Sequence, residues 1–282
     1  MKGRWARFLL ALGQALGSAA WAVGLRRRVA LEGLRRAFPE CTEQQREVTG
    51  RAAYRQLGRS LAEVALARSA RDEDLEDLVR FDRWDVYESA RAQGHGVVVA
   101  VAHFGNWELL ARACARRGVP LTAITRALRG RLNQQILAAR HEGGLRELPD
   151  KGSTGAALRL LRRGETLAVV VDQNMRPSRG IFVDFFGEPA CTTPAAAVLA
   201  LRAGAPLLAA FPVRGPDGTH LVRVEGPFAA PPGARGRSAV QALTQEVTRA
   251  VERAVREHPD HWFWVHRRWK TRPKEALPPP AR

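Results

Sequence analysis

Cysteine is scarce in this chain and poorly spaced for cross-linking. Cys41, Cys114 and Cys191 are odd in number, far apart, and lack a C-x-x-C pair or metal-ligand spacing. That excludes a disulfide framework or a zinc knuckle and fits reduced thiols in a cytosolic compartment. H-E-x-x-H, G-x-S-x-G, a Walker loop and G-x-G-x-x-G are also missing. Zinc proteases, elbow-type serine hydrolases and the common nucleotide folds therefore lack their signatures. Acidic charge is short as well: Asp and Glu number 28 against 45 Lys and Arg, a formal net charge of +17. The excess favours polyanionic partners (nucleic acid, anionic lipid, phosphorylated substrate) without choosing among them. The 282 residues suffice for one sizeable core and show no internal repeat.

One long apolar stretch is present, Phe8 to Leu25, with Gln14 its strongest polar interruption and Arg26, Arg27 and Arg28 directly after it. It sits at the lower limit for crossing a bilayer and is rich in Ala, Gly and Ser. Cations flank both ends, so the positive-inside rule favours translocation of neither. The expectation is a helix lying in the membrane interface, with Trp5, Phe8, Leu9, Leu12, Leu16 and Val23 toward lipid, ahead of a single N-terminal span.

From Leu31 to Arg68 the apolar spacing is helical. Then Gly96 to Ala102 is a short continuous apolar run, the pattern of a strand buried on both faces, and it delivers His103 to its C-terminal end. Helix 107–117, strand 121–125, helix 131–140, strand 145–148, helix 154–163 and strand 166–171 continue a βαβα order. Helix 195–202, strands 207–213 and 220–224, and a long amphipathic helix 238–257 complete the pattern. The predicted fold is α/β, a mixed and largely parallel central sheet flanked by helices, with an N-terminal membrane-associated helix. Three parts are expected: the helix at 1–30, a catalytic domain at 31–273, and a disordered tail at 274–282.

Two His-x4-Glu pairs occur, His103/Glu108 and His220/Glu225. In an alternating strand, His220 and Glu225 point to opposite faces and cannot cooperate. His103 instead lies where a strand ends and a helix begins, with Gly105 permitting a tight turn and Asn106 suited to cap the helix. Open α/β folds bind ligands beyond the carboxyl ends of their strands, and a His held by a carboxylate is a general base for a hydroxyl nucleophile.

The hexapeptide His103-Phe104-Gly105-Asn106-Trp107-Glu108 resembles the H-x-G-N-W-E motif of the late acyltransferases of lipid A biosynthesis, within the glycerolipid acyltransferases. Similar blocks follow: Ala37-Phe38-Pro39-Glu40, Val171-Asp172-Gln173-Asn174, Phe182-Val183-Asp184-Phe185-Phe186-Gly187, and Trp264 to Pro273. The resemblance implies an acyl thioester donor on acyl carrier protein or coenzyme A. It also implies an anionic glycolipid acceptor, a lipid A precursor first, with a phosphatidylinositol mannoside or lysophospholipid as the alternative.

It implies no metal and no cofactor, and a location at the cytoplasmic side of the inner membrane. His103 and Glu108 are the expected catalytic pair, Glu108 orienting the imidazole. Arg140 is the candidate oxyanion donor, with Asp172 positioning Arg140 or the acceptor. Asn106, Arg126, Arg267, Arg268 and Lys270 are candidate substrate contacts, the basic tail being joined by Trp264 and Trp269 at a headgroup interface. No nucleic acid partner is expected, although basic residues interleaved with Trp keep a nucleic-acid-binding protein as the rival class.

Overall fold

The computed structural model of the chain describes residues 3–68, 72–125, 137, 138 and 140–273. Three helices come first: α1 (Arg4–Ala22), α2 (Arg27–Ala37) and α3 (Glu43–Ala67). Thr42 opens α3 with a capping box, its hydroxyl accepting from Gln45 N while the Gln45 side chain accepts from Thr42 N. Helix α1 lies along α3 at backbone contact. A Cβ on Gly13 would meet Gly58 O at 2.5 Å, and one on Gly17 would meet Tyr54 O at 2.1 Å. Glycine is required at both positions by that approach.

The outer side of α1 leaves Trp5, Phe8, Leu12 and Leu16 exposed, as it does Val23 just beyond the helix, whereas Leu9 is half-buried. Five of the six residues expected to face lipid are therefore uncovered. No single described helix is long and apolar enough to cross a membrane; α1 and α2 together have the length but are bent by 88°.

Next in the chain are α4 (Asp72–Leu78), β1 (Val79–Asp82), α5 (Trp84–Ala92), β2 (Val97–Val101), α6 (Trp107–Arg116), β3 (Leu121–Thr125) and β4 (Arg146–Pro149). They are followed by α7 (Thr154–Arg162), β5 (Thr166–Val170), the hairpin β6 (Ile181–Phe185) and β7 (Glu188–Thr192), and α8 (Ala195–Ala203). Strands β8 (Leu207–Arg214) and β9 (His220–Phe228) and helix α9 (Gly236–Glu257) complete the described elements. The central sheet has the order β1-β9-β8-β2-β5-β3-β4. Every neighbouring pair is parallel except β8 with β9. The fold is α/β with a mostly parallel sheet between helices.

Period-two alternation divides the sheet into two unlike faces. Val98, Ala100, Leu167, Val169, Leu207 and Ala209 pack into one dense core with α7, α8 and α9. Val97, Ala123, Ala168, Leu208, Ala210 and Val224 face α5 and α6 on the other side. The expectation that β2 is buried on both faces holds at Val97, Val98 and Ala100, whereas Val99 and Val101 are half-buried along a pocket. The segment from α4 to α5 and the hairpin β6–β7 are additions to the sequence-based element order. Helix 131–140 and the tail 274–282 fall largely or wholly outside the described residues, although residues 140–142 are helical.

Candidate active site

Parallel pairing of β2 with β5 sets Val101 beside Val170, so His103 and Asp172, each two residues further on, leave the sheet side by side. Asp172 takes hold of the histidine twice: its carboxylate accepts from His103 N at 2.8 Å and pairs with the ring Nδ1 at 2.9 Å. Trp262 Nε1 donates to the same carboxylate at 2.9 Å. Burial alone would push the Asp172 pKa up, but the facing imidazole and these donors hold it down at about 2. The His103 ring is likewise penalised by burial, yet the Asp172 carboxylate, with a further contribution from Glu108, leaves its pKa above the ordinary histidine value. An ionised Asp172 fixes the proton on Nδ1. The lone pair of the neutral ring then sits on Nε2, 3.3 Å from the Gln173 amide nitrogen.

The turn that carries His103 is fixed from behind. Gly105 has φ 57°, and a Cβ there would lie 1.8 Å from Pro212 O. Only glycine brings β2 so close to β8 before α6 begins. The backbone around Trp262 completes the clamp: Phe263 N donates to His103 O at 3.0 Å, and Gly105 N donates to His261 O at 2.8 Å.

Glu108, in the first turn of α6, is held by a different partner from the one expected. Arg140 Nε donates to Glu108 Oε2 at 2.9 Å, and Arg140 Nη1 donates to Glu147 Oε1 at 3.0 Å. Trp107 Nε1 donates to Glu108 Oε1 at 3.1 Å. Among the described residues the His103 ring is hydrogen-bonded by Asp172 and Gln173, not by Glu108. Orientation of the imidazole therefore belongs to Asp172, and Asp172 positions His103 rather than Arg140. The signal was available in the sequence: two strands of a parallel sheet ending in His and Asp are adjacent whenever those strands pair. The strand order needed to know this was not.

Two of the other candidate contacts, Asn106 and Arg268, are structural. Asn106 is buried; its Oδ1 caps α6 by accepting from Leu109 N at 3.1 Å, and its Nδ2 donates to Glu63 Oε2 at 2.9 Å. It does not line the pocket that borders His103. Arg268 is 1% exposed, donates to Cys191 O at 3.1 Å and to Thr192 Oγ1, and lies over the Phe185 ring. Burial lowers its pKa to about 10. Trp264 and Trp269 are also buried, their indole N–H groups donating to Pro259 O and Phe185 O. These aromatics fill the core rather than a headgroup interface, and they offer no free ring for stacking bases. Arg267 and Lys270 are exposed, and Arg126 lies outside the described residues.

The second pair separates as expected. Glu225 meets Arg253 at 2.7 Å, while His220 is buried and bonded through Nε2 to Glu63 at 3.1 Å. Arg214 closes on Glu63 with contacts of 3.1 and 2.7 Å.

Beside His103 a pocket opens. Trp107, Glu108 and Arg140 share its mouth with the histidine, and it runs back between the sheet and helices α5 and α6. Its walls are overwhelmingly apolar side chains from β2, β3, β5, β8 and β9. The cause is visible in the register: Ala123 on β3, Ala168 on β5 and Val99 on β2 lie in one row across the sheet. These short side chains stop before they reach the opposing helices. Among the described residues no cluster of His, Cys, Asp and Glu could hold a metal ion.

The sequence is similar to those of known acyltransferases. The family model for the bacterial lipid A biosynthesis acyltransferases matches residues 6–271. The lipid A biosynthesis lauroyltransferase of Escherichia coli K12 is 26% identical over 269 residues, 95% of this chain and 86% of that protein. The lipid A biosynthesis palmitoleoyltransferase of the same strain is 25% identical over 251 residues, 88% of this chain and 80% of that protein. A phosphatidylinositol mannoside acyltransferase of Mycobacterium tuberculosis is 27% identical over 194 residues, 66% of this chain and 58% of that protein.

Proposed function

We propose the following reading for a chain that belongs to the bacterial lipid A biosynthesis acyltransferases and is an acyltransferase: it moves a fatty acyl group from a thioester to a hydroxyl of an anionic glycolipid, a lipid A precursor. The observation that carries this is the apolar pocket whose mouth holds His103. A fatty acyl chain can lie in such a pocket out of water, gaining about 0.8 kcal/mol for each buried methylene, with its carbonyl left among the polar groups at the entrance.

In this reading His103 Nε2 removes the proton of the acceptor hydroxyl while Asp172 balances the imidazolium that forms. The alkoxide oxygen attacks the thioester carbonyl, and the C=O π electrons move onto oxygen. Arg140, fixed beside Glu108 at the pocket mouth, meets that developing negative charge; one such donor is typically worth about 10²–10³ in rate. Collapse of the intermediate forms the ester and breaks the carbon–sulfur bond. The imidazolium returns its proton to the departing thiolate. Glu108 anchors Arg140 and adds negative potential near the histidine. The donor is acyl carrier protein or coenzyme A.

The exposed apolar side of α1, flanked by Arg4, Arg7 and the Arg26–Arg28 run, supports docking at the cytoplasmic face of the inner membrane, where the acceptor lies. Exposed Arg267 and Lys270 are the remaining candidates for its phosphate. The test is transfer by detergent-solubilised protein from labelled acyl thioesters to lipid extract, followed by mass spectrometry. Wild type forms one new acylated glycolipid, whereas His103→Ala and Glu108→Ala do not. Absence of product from both thioester classes overturns the reading.

A further inference from the structure

The pocket has a bottom as well as a mouth. We infer that it measures the acyl chain, and that Tyr87 with Thr166 is the stop against which the terminal methyl rests. The inference deepens the reading above, in which this pocket holds the acyl group.

The length of the pocket follows from β5. Its mouth lies at the level of Asp172 and His103, and its lining on that strand passes Val170 and Ala168 to end at Thr166. Those six residue steps at roughly 3.3 Å each give a run of about 20 Å. At the far end the Tyr87 hydroxyl and Thr166 Oγ1 form a buried hydrogen bond of 2.8 Å. Each is an otherwise costly polar group in apolar surroundings, and each satisfies the other, so neither swings aside without leaving its partner unpaired. The Tyr87 ring is also held by Trp84, with ring centroids 4.7 Å apart. The stop is therefore rigid. Allowing about 4 Å for van der Waals contact with it leaves about 16 Å. At about 1.3 Å per carbon along an extended zigzag, that accommodates an acyl chain of about 12 to 14 carbons.

The row through Ala168 gives the second handle. A bulkier side chain there would close the trough two residues nearer the mouth, about 6.6 Å, or about five carbons. Tyr87→Val removes the stop, and Ala168→Leu moves it inward. The two changes push the preferred length in opposite directions, which no general loss of folding can imitate. Ala168→Val is the milder second variant should Ala168→Leu not melt cooperatively.

Two measurements are made on the full chain with fatty acids and acyl thioesters graded from octanoyl to stearoyl. The first is displacement of bound radiolabelled laurate by unlabelled fatty acids, which needs no turnover; the second is the length dependence of kcat/KM for transfer. Wild type should tighten by about fourfold per added carbon up to dodecanoyl or tetradecanoyl and then weaken. Tyr87→Val should shift both optima to palmitoyl or beyond, and Ala168→Leu should shift them to about octanoyl. Optima that stay in place in folded variants, or laurate binding with no length preference, overturn the inference. Length-ordered binding without any transfer would uphold the measuring pocket and overturn the transferase reading on which it was built.

Discussion

Two histidine–carboxylate–arginine clusters among the described residues, each built on a buried carboxylate, are made of the same parts for opposite ends. At one, His103 is gripped by Asp172, with Glu108 and Arg140 alongside, and the ring borders an open apolar pocket. At the other, His220, Glu63 and Arg214 close on one another in the interior, joined by Ser60 and Gln56. The ring pKa is raised at the first cluster and lowered at the second. Burial pulls both rings down: at the first the Asp172 carboxylate outweighs it, whereas at the second burial prevails, the Glu63 charge being shared with Arg214, which itself lowers the His220 pKa further. The second cluster supports the first mechanically, since Glu63 accepts from Asn106, the cap of the helix that carries Glu108. In the proposed reading the chemistry belongs to the cluster whose histidine lines the apolar pocket, and rigidity to the one whose histidine and glutamate are sealed in the interior.

The sharpest way to break this comparison is to exchange the effects of the two clusters. His103→Ala should lower transfer by roughly 10²–10⁴ and cost less in the thermal melt than Glu63→Gln, because Asp172 keeps its bonds from His103 N and Trp262 Nε1; a lowered melt in place of lost activity would make His103 structural. Glu63→Gln should do the reverse, costing about 3–5 kcal/mol in denaturant unfolding because Arg214 is left buried and unpaired. Activity per folded molecule should survive it.

The same carboxylates set the acid limit of the fold. Burial opposes their ionisation, but the facing cations and donors hold both Glu63 and Asp172 at about 2. Depressed pKa values contribute stability that is complete above the unfolded carboxylate range near 4. That stability is lost as pH falls toward about 2, so the acid transition of Glu63→Gln should be shallower than that of wild type. A smaller effect is expected from Asp172→Asn. Removing the charge that raises the His103 pKa should move the acidic limb of the kcat/KM profile to lower pH while lowering its plateau; an unmoved limb would mean another group titrates. Least of all, Glu225→Gln should cost under about 1 kcal/mol, because its pair with Arg253 is largely solvated.

Much of this arrangement was legible before any coordinates. The apolar run ending in His103, the Gly105 turn and the Asn106 cap follow from local chemistry. The separation of His220 from Glu225 follows from the two-residue period of a strand. The exposed side of α1 was readable from its helical spacing alone. Where the reading went astray, the missing information was long-range. Local pattern puts Asp172 at the sheet edge but leaves its partner open, since its neighbour depends on β2 pairing with β5. The His-x4-Glu spacing suggests Glu108 for the imidazole, but Glu108 is turned toward Arg140, a residue 32 positions away. Arg268, Trp264 and Trp269 form a basic and aromatic string that looks like a surface motif. Arg268 and Trp269 are buried against the hairpin β6–β7, and Trp264 against Gly33 of α2 and Phe38, packing that no local pattern announces.

That a histidine stands at the end of a strand, before a capped helix carrying a glutamate, in a chain rich in positive charge, is already written in the order of the residues. Those are properties of neighbours along the backbone, set by turn geometry and side-chain periodicity. Which carboxylate holds the histidine, which cations are buried, and that a row of small side chains on adjacent strands leaves an apolar pocket all depend on long-range packing. Strand order and register bring together residues far apart in the chain, and cavities are made by what fails to meet across them.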